Sequence, residues 1–355
     1  MATLYLTERR SLVRRDGDTL VIEIPADPET QRDKRSVRVP LIKVDQVVVY
    51  GNSTLTAPAI AALLEQRTEV CFLGEHGDYR GRLSPAGGKN VVVRLEQYRA
   101  HDSATRAFPL ARAFVGGKLA NMRTQLLRAN RRRGDAALTE AAARIQAQVA
   151  AAAALERAPA DPVPDPSAPQ KDSVEGRLLG CEGAGSAAYF AVLGNMLQEG
   201  WTFPGRVKRP PTDPVNALLS YGYVLLMHQV ASAAQVAGLD PHVGYLHATR
   251  YGKPALALDL MEEFRPIIVD STVITLLNTG MLAPGDFVEE GGACRLKDEG
   301  RRTFLTKLEE RLQTEVQHPV FGYTATYRRC LELQARILGK VLLGEVAAYR
   351  PFLAR

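Results

Sequence analysis

An α+β protein is predicted: a small N-terminal, mainly β domain over residues 1–90, followed by a larger all-α domain over residues 91–355. Two patterns carry this reading. Short runs rich in β-branched residues, broken by turn-forming clusters, fill the first ninety positions, and from Val91 the apolar residues recur at helical spacing instead. Size agrees, because 355 residues exceed what one hydrophobic core usually organises and suit two. At 46% hydrophobic and 24% charged, the composition is that of an ordinary globular protein, able to hold a site without a disulfide framework.

In the β domain, Ser11–Arg15 and Thr19–Ile24 flank Asp16-Gly17-Asp18, which predicts a hairpin. Val37–Tyr50 is rich in β-branched residues but interrupted by Pro40, so it reads as two short strands or an edge position. A short helix follows, with Thr56 as its cap, Pro58 in its first turn and Ile60, Leu63 and Leu64 as its apolar face. Strand character resumes at Glu69–Leu73 and Tyr79–Leu83.

In the α domain, Leu95, Ala100, Leu110, Phe114, Leu119, Met122 and Leu126 mark one or two long helices down to Arg133, with Gly116-Gly117 as the expected break. Asp135–Glu156 is alanine-rich and helical by propensity. Ala158–Pro169 carries five prolines and reads as an exposed loop. Helical patterning then continues nearly to Arg355.

Several classes are disfavoured. Cys71, Cys181, Cys294 and Cys330 form no C-x-x-C pair, which argues against a zinc knuckle and suits a reducing compartment. No apolar run approaches the roughly 18 residues that span a bilayer, and no signal-peptide core is present, so a cytoplasmic protein without a membrane partner is expected. The net charge of +6 says little by itself. Its distribution says more, since Arg106, Arg112, Lys118, Arg123, Arg128 and Arg131–Arg133 follow one another without an intervening acid. Such a stretch is either a solvated helix face or a surface for polyanions.

Three segments have room for chemistry. In 178-LLGCEGAGSAAYF-190, glycines crowd a helical stretch around Glu182, the only charge between Arg177 and Glu199. A carboxylate among small and apolar neighbours is costly unless a cation meets it. In 238-GLDPHVGYLHATRYGKPALALDLMEEFRP-266, His242 and His247 precede a helix on which Asp259 shares a side with Glu262 or with Glu263. Like charges so placed repel unless something positive lies between them, and Arg250, Lys253, Arg265 or a divalent ion would serve. An imidazole with two carboxylates suits Mn²⁺ or Mg²⁺. In 209-RPPTDPVNALLSYGY-223, Asp213 is placed to cap a helix starting near Pro214 and so to position Arg209, Tyr221 and Tyr223.

These three segments, in this order after a β domain containing "VVVYGNSTLTAPAIAALL" and before "YRRCLELQARILGKVL", resemble the CRISPR-associated endonuclease-integrase family of spacer acquisition (Cas-one) over essentially the whole chain. The resemblance implies homodimers formed through the β domains. It also implies a heterohexamer with a dimer of the small "Cas-two" partner, which inserts short double-stranded DNA fragments into a CRISPR array. By position, the resemblance places metal ligands at Glu182, His247 and Glu262, with Asp259 assisting and Mg²⁺ or Mn²⁺ as the ion. Two departures stand out: the Pro/Ala-rich stretch is longer than the family pattern, and His242 replaces an expected aromatic.

The implied reaction is metal-assisted transesterification, a 3′-hydroxyl attacking a phosphodiester at the repeat boundary, with nuclease activity as its hydrolytic counterpart. Tyr189, Arg123, Arg128, Arg209 and Lys253 are candidate DNA contacts. The alternatives are a non-catalytic DNA-bridging scaffold and an HD-type phosphohydrolase built on His101-Asp102. The latter lacks upstream histidines other than His76, in an expected β turn.

Overall fold

A computed structural model describes residues 2–26, 33–74, 79–85, 90–158 and 172–354. It divides into two compact units, Met1–Gly87 and Gly88–Arg355.

The first unit holds β1 (Ala2–Leu6), β2 (Leu12–Asp16), β3 (Thr19–Ile24), β4 (Arg35–Pro40), β5 (Val44–Tyr50), β6 (Thr54–Leu55), α1 (Ala57–Glu65), β7 (Glu69–Leu73) and β8 (Tyr79–Leu83). They form two four-stranded sheets, ordered β1-β5-β7-β8 and β4-β3-β2-β6. The expected hairpin is β2–β3: Asp16 pairs with Thr19, and Gly17 takes the left-handed φ of 59° that the two-residue turn requires. Pro40 ends β4, an edge strand, where a missing N–H breaks no ladder. Leu6, Val13, Leu20, Ile22, Val47, Val49, Leu63 and Val70 meet in one core.

Two details of α1 differ from expectation. It buries Ala59, Ala62 and Leu63, while Ile60 and Leu64 stay half-buried, because the helix lies on β2 and β7 through its small alanines. Thr56 stands at the N-cap without a side-chain capping hydrogen bond. His76 lies outside the described residues.

The second unit is mostly helical: α2 (Val91–His101), α3 (Ala104–Asn130), α4 (Ala136–Ala154), α5 (Val174–Ala191), α6 (Pro214–Val236), α7 (Ala255–Met261), α8 (Ser271–Asn278), α9 (Asp298–Gln313) and α10 (Tyr327–Leu342). A π-helical turn, Arg265–Asp270, leads into α8. Two small hairpins that helical patterning did not reveal are β9 (Phe287–Glu290) with β10 (Ala293–Leu296), and β11 (Glu315–Gln317) with β12 (Thr324–Thr326). Gly291-Gly292, with φ of 58° and 74°, makes the first turn.

The expected helix break falls elsewhere. The chain turns at Asp102–Ser103, and α3 runs unbroken through Gly116-Gly117. Gly117 is there for space: a Cβ would lie 2.6 Å from Pro351 Cβ and 3.2 Å from Glu263 Cβ. Asp135 caps α4 by accepting from Ala137 and Leu138 N–H. Of the Pro/Ala-rich stretch, residues 159–169 lie outside the described residues. Among the described residues no helix is long and apolar enough to cross a membrane.

Candidate metal centre

Ser173 caps α5, its Oγ accepting from Gly176 N–H at 3.0 Å. One turn past Glu182, Gly185 faces Leu119 of α3 so closely that a Cβ would collide with the leucine methyls. This glycine therefore sets the approach of α5 to α3, and that approach puts Glu182 over Lys118. The two side chains form an ion pair, and Ser186 Oγ donates to the same Glu182 Oε1 at 2.9 Å.

The second segment is organised by Asp259, which is fully buried. Its Oδ2 accepts from Tyr245 N–H (2.6 Å) and Leu246 N–H (3.0 Å). Its Oδ1 accepts from His247 N–H (2.9 Å) and pairs with His247 Nδ1 (2.8 Å). An Nδ1–H donated to a carboxylate fixes the tautomer and leaves Nε2 with its lone pair. That Nε2 faces Glu262 Oε1 at 3.8 Å. Gly244 makes room for the Asp259 carboxylate, since a Cβ there would lie 2.7 Å from Asp259 Oδ2.

Glu262, 2% exposed at the end of α7, joins the two halves. Its Oε2 lies 2.7 Å from Lys118 Nζ and its Oε1 2.6 Å from Arg265. Burial pushes this carboxyl up, but Arg265, Lys118 and His247 outweigh it and hold the pKa at about 2. Glu182, His247 and Glu262 thus converge from α5, the 237–254 loop and the end of α7.

Beside them opens a cavity of about 460 Å³ lined by Lys118, Glu182, Ser186, Arg206, Lys208, Tyr223 and Arg265, among others. Asp213 caps α6 as expected, with Oδ1 accepting from Asn216 N–H at 2.9 Å. The residue this motif positions is Arg206, which donates to Asn216 Oδ1 (2.7 Å) and Ser220 Oγ (3.0 Å). Arg209 lies exposed. Arg265 stacks over the Tyr223 ring at 4.2 Å, and Tyr223 donates to Asp270 Oδ1 at 2.6 Å. The Lys208 ammonium is shifted down by burial and by its neighbours Arg265, Lys118 and Arg206.

Other candidates fall differently. Glu263 turns away from the centre: its carboxylate accepts from Gln334 (2.9 Å), Tyr349 OH (2.8 Å) and Phe352 N–H (2.9 Å). Burial raises it to about 7 despite those bonds. His242 is half-exposed and leans on Asp240. His101 Nδ1 meets the Gly244 carbonyl at 2.7 Å. Tyr189 is corrected as a DNA contact: it is fully buried, against Phe190 and close to Asp270.

The basic stretch also divides. Arg106 pairs with Glu96, Arg112 donates to the Leu155 carbonyl, and Arg133 donates to the carbonyls of Asn195, Met196 and Leu197. Arg123, Arg128 and Lys253 are half-buried, while Arg131 and Arg132 are exposed. Lys118, Arg206 and Lys208 do not stand out in the sequence as members of the site, whereas Arg265, expected as a possible counter-charge to these acids, pairs with Glu262. Lys118 had a signal, because Phe114, Lys118 and Met122 at i, i+4 and i+8 place a charge on an apolar stripe.

Among the described residues, no three of His, Cys, Asp and Glu already surround one point at ligand distance. Lys118 Nζ takes that point between Glu182 and Glu262. The donor set nonetheless fits a divalent ion: one oriented imidazole nitrogen, two carboxylates already gathered on a cation, and a third, buried carboxylate fixing the imidazole.

The family described as "CRISPR associated protein Cas1" matches residues 4–310. A CRISPR-associated endonuclease Cas1 of Thermus thermophilus is 37% identical over 355 residues, covering 100% of this chain and 98% of the relative. A Cas4/Cas1 exonuclease–endonuclease fusion of Geobacter sulfurreducens is 39% identical over 99% of this chain, which spans only 60% of the fusion. The fold is shared with a casposase bound to its integration product, with a TM-score of 0.82 at 24% identity over 99% of this chain and 93% of that one. With nearly the whole chain matched in sequence, and the expected β unit and helical unit in place, the protein belongs to the CRISPR-associated Cas1 family.

Proposed function

We propose that this chain is a metal-dependent CRISPR adaptation integrase, a DNA endonuclease and transesterase that inserts short double-stranded fragments into a CRISPR array. One observation carries the reading. Two carboxylates from separate segments, Glu182 and Glu262, gather on the buried Lys118 ammonium, with His247 Nε2 facing Glu262, at the edge of a cavity that is itself lined with cations. Carboxylates suit a divalent ion, and the neighbouring guanidinium and ammonium groups suit a phosphodiester.

A Mg²⁺ or Mn²⁺ ion held by Glu182, His247 Nε2 and Glu262 would supply hydroxyl activation and charge stabilisation at the scissile phosphate. The protein's own groups do the rest. Asp259 holds the imidazole with Nε2 toward the centre. Arg265 keeps Glu262 ionised and, with Arg206 and Lys208, turns a positive wall toward the incoming phosphate. The β unit is assigned to homodimerisation and the helical unit to chemistry, with the small Cas-two partner completing a heterohexamer on DNA in the cytoplasm. Arg123, Arg128, Arg209 and Lys253 remain the candidate contacts to flanking DNA.

The test is strand transfer of labelled fragments into a repeat-bearing plasmid, with the small partner and Mn²⁺. Wild-type protein joins them, EDTA stops the reaction, and His247→Ala abolishes it while remaining folded. Joining by His247→Ala at the wild-type rate refutes the assignment. DNA binding that survives EDTA, with no joining when Mn²⁺ returns, would indicate a bridging scaffold instead.

A further inference from the structure

Lys118 lies where a lysine is expensive. Its side chain is 7% exposed, on the face of α3 that also buries Phe114 and Met122. A buried ammonium is tolerated only when paired, and Lys118 is paired twice, with Glu182 and with Glu262 Oε2 at 2.7 Å. The carboxylates in turn need a cation between them. Lys118 and a divalent ion therefore do the same electrostatic work and compete for the same two carboxylates, Glu182 and Glu262. The adjoining cavity offers the ammonium somewhere to go, since Lys118 already lines it with Ser186, Arg206 and Lys208. Three cations already there, Arg206, Lys208 and Arg265, make that move unfavourable unless an anion, such as a DNA phosphate, shares the space.

We propose that Lys118 is an exchangeable ammonium: it stands in the ion's place in the metal-free protein and moves into the cavity, onto the DNA phosphate, when the ion binds. This rests on the metal centre proposed above. Its consequence is that the apo site is held together by an internal cation, and that metal and phosphate occupancy favour each other.

Wild-type protein gives the first test, free of any folding artefact. Acetylation of Lys118 by an amine-reactive ester, quantified by mass spectrometry, should rise several-fold when Mn²⁺ is added, while acetylation of the exposed Lys340 stays constant. The second test is Lys118→Met, isosteric but uncharged. Its Mn²⁺ affinity by calorimetry should rise on the order of tenfold because no ion pair is broken on loading. Its melting temperature should fall in EDTA and recover with Mn²⁺, and at saturating Mn²⁺ its strand transfer should remain below wild type. Unchanged acetylation while wild type binds Mn²⁺, or no gain in affinity for Lys118→Met, overturns the exchange. Full strand transfer by Lys118→Met overturns the phosphate contact. If neither protein binds Mn²⁺, the metal centre itself falls and the exchange with it.

Discussion

Asp259→Asn changes one atom of a buried side chain and leaves its volume nearly constant, so its effect reports on hydrogen bonding and charge alone. Four N–H groups converge on the carboxylate: those of Tyr245 and Leu246 on Oδ2, and the His247 backbone and ring on Oδ1. An amide presents one acceptor oxygen and one NH₂. Whichever way it turns, two of the four donors face another donor. Each buried donor stripped of its acceptor costs about 1–3 kcal/mol, so the 245–247 loop should lose about 2–6 kcal/mol. The imidazole also loses the anion that fixes its tautomer, and losing such a partner typically lowers metal affinity by about 10–100-fold. The assay is a calorimetric Mn²⁺ titration at a temperature where circular dichroism shows both proteins folded, with thermal unfolding in parallel. An Asp259→Asn protein that binds Mn²⁺ within twofold of wild type refutes the claim that Asp259 orients His247.

Gly244→Ala reaches the same carboxylate without altering any charge, since its Cβ would lie 2.7 Å from Asp259 Oδ2. It should weaken Mn²⁺ binding in the same calorimetric assay, and unchanged affinity would show that the contact relaxes freely. Gly117→Ala forces α3 away from Pro351, overpacking worth about 1–3 kcal/mol that denaturant unfolding will measure. Asp270 supplies a pH test. Burial lifts its carboxyl from 3.8 to about 6, against the pull of Tyr223, Tyr189, Arg265 and Arg206. A raised folded pKa means that the native state binds the proton more tightly than the unfolded chain. This contribution to stability is therefore full below pH 3.8 and lost as pH rises to about 6. Replacing the group by Asn should remove a slope of at most about 3 kcal/mol over that window. Parallel stability–pH profiles for wild type and Asp270→Asn would contradict it.

Much of the fold could be read from local pattern because the relevant signals are local. The β2–β3 turn, the Pro40 interruption, the Asp135 and Asp213 caps and the alanine-rich α4 each depend on a few adjacent residues. Gly116-Gly117 misled because a glycine pair marks either a break or a close approach, and only the partner, Pro351 in a distant part of the chain, decides between them. The same limit applies to the site. The donors Glu182, His247 and Glu262 stand out by residue type and neighbourhood, and the family resemblance selected among the acids. The cations that complete the site do not stand out in the same way. Arg206 precedes the motif that orients it, and Lys118 is in sequence one more charge in a basic run, set apart only by the burial of its apolar stripe in the fold. Tyr189 differs in the other direction, since an aromatic near Glu182 in sequence is fully buried in the fold.

Glu262 and Glu263 are adjacent in sequence and serve opposite sides of the same turn. One faces Lys118 and His247 at the proposed metal centre; the other ties down Tyr349 and Phe352, with Asn121 of α3 gripping the carbonyls of both Glu263 and Phe352. A single peptide unit is thus a lever between the centre and the segment 349–354. Any mutation, label or binding partner that lifts this segment tilts the lever and shifts Glu262 relative to His247, without touching a ligand. A search for inactivating substitutions should therefore return residues such as Tyr349 and Phe352 alongside the ligands, and their loss of activity should be read as misalignment rather than as missing chemistry.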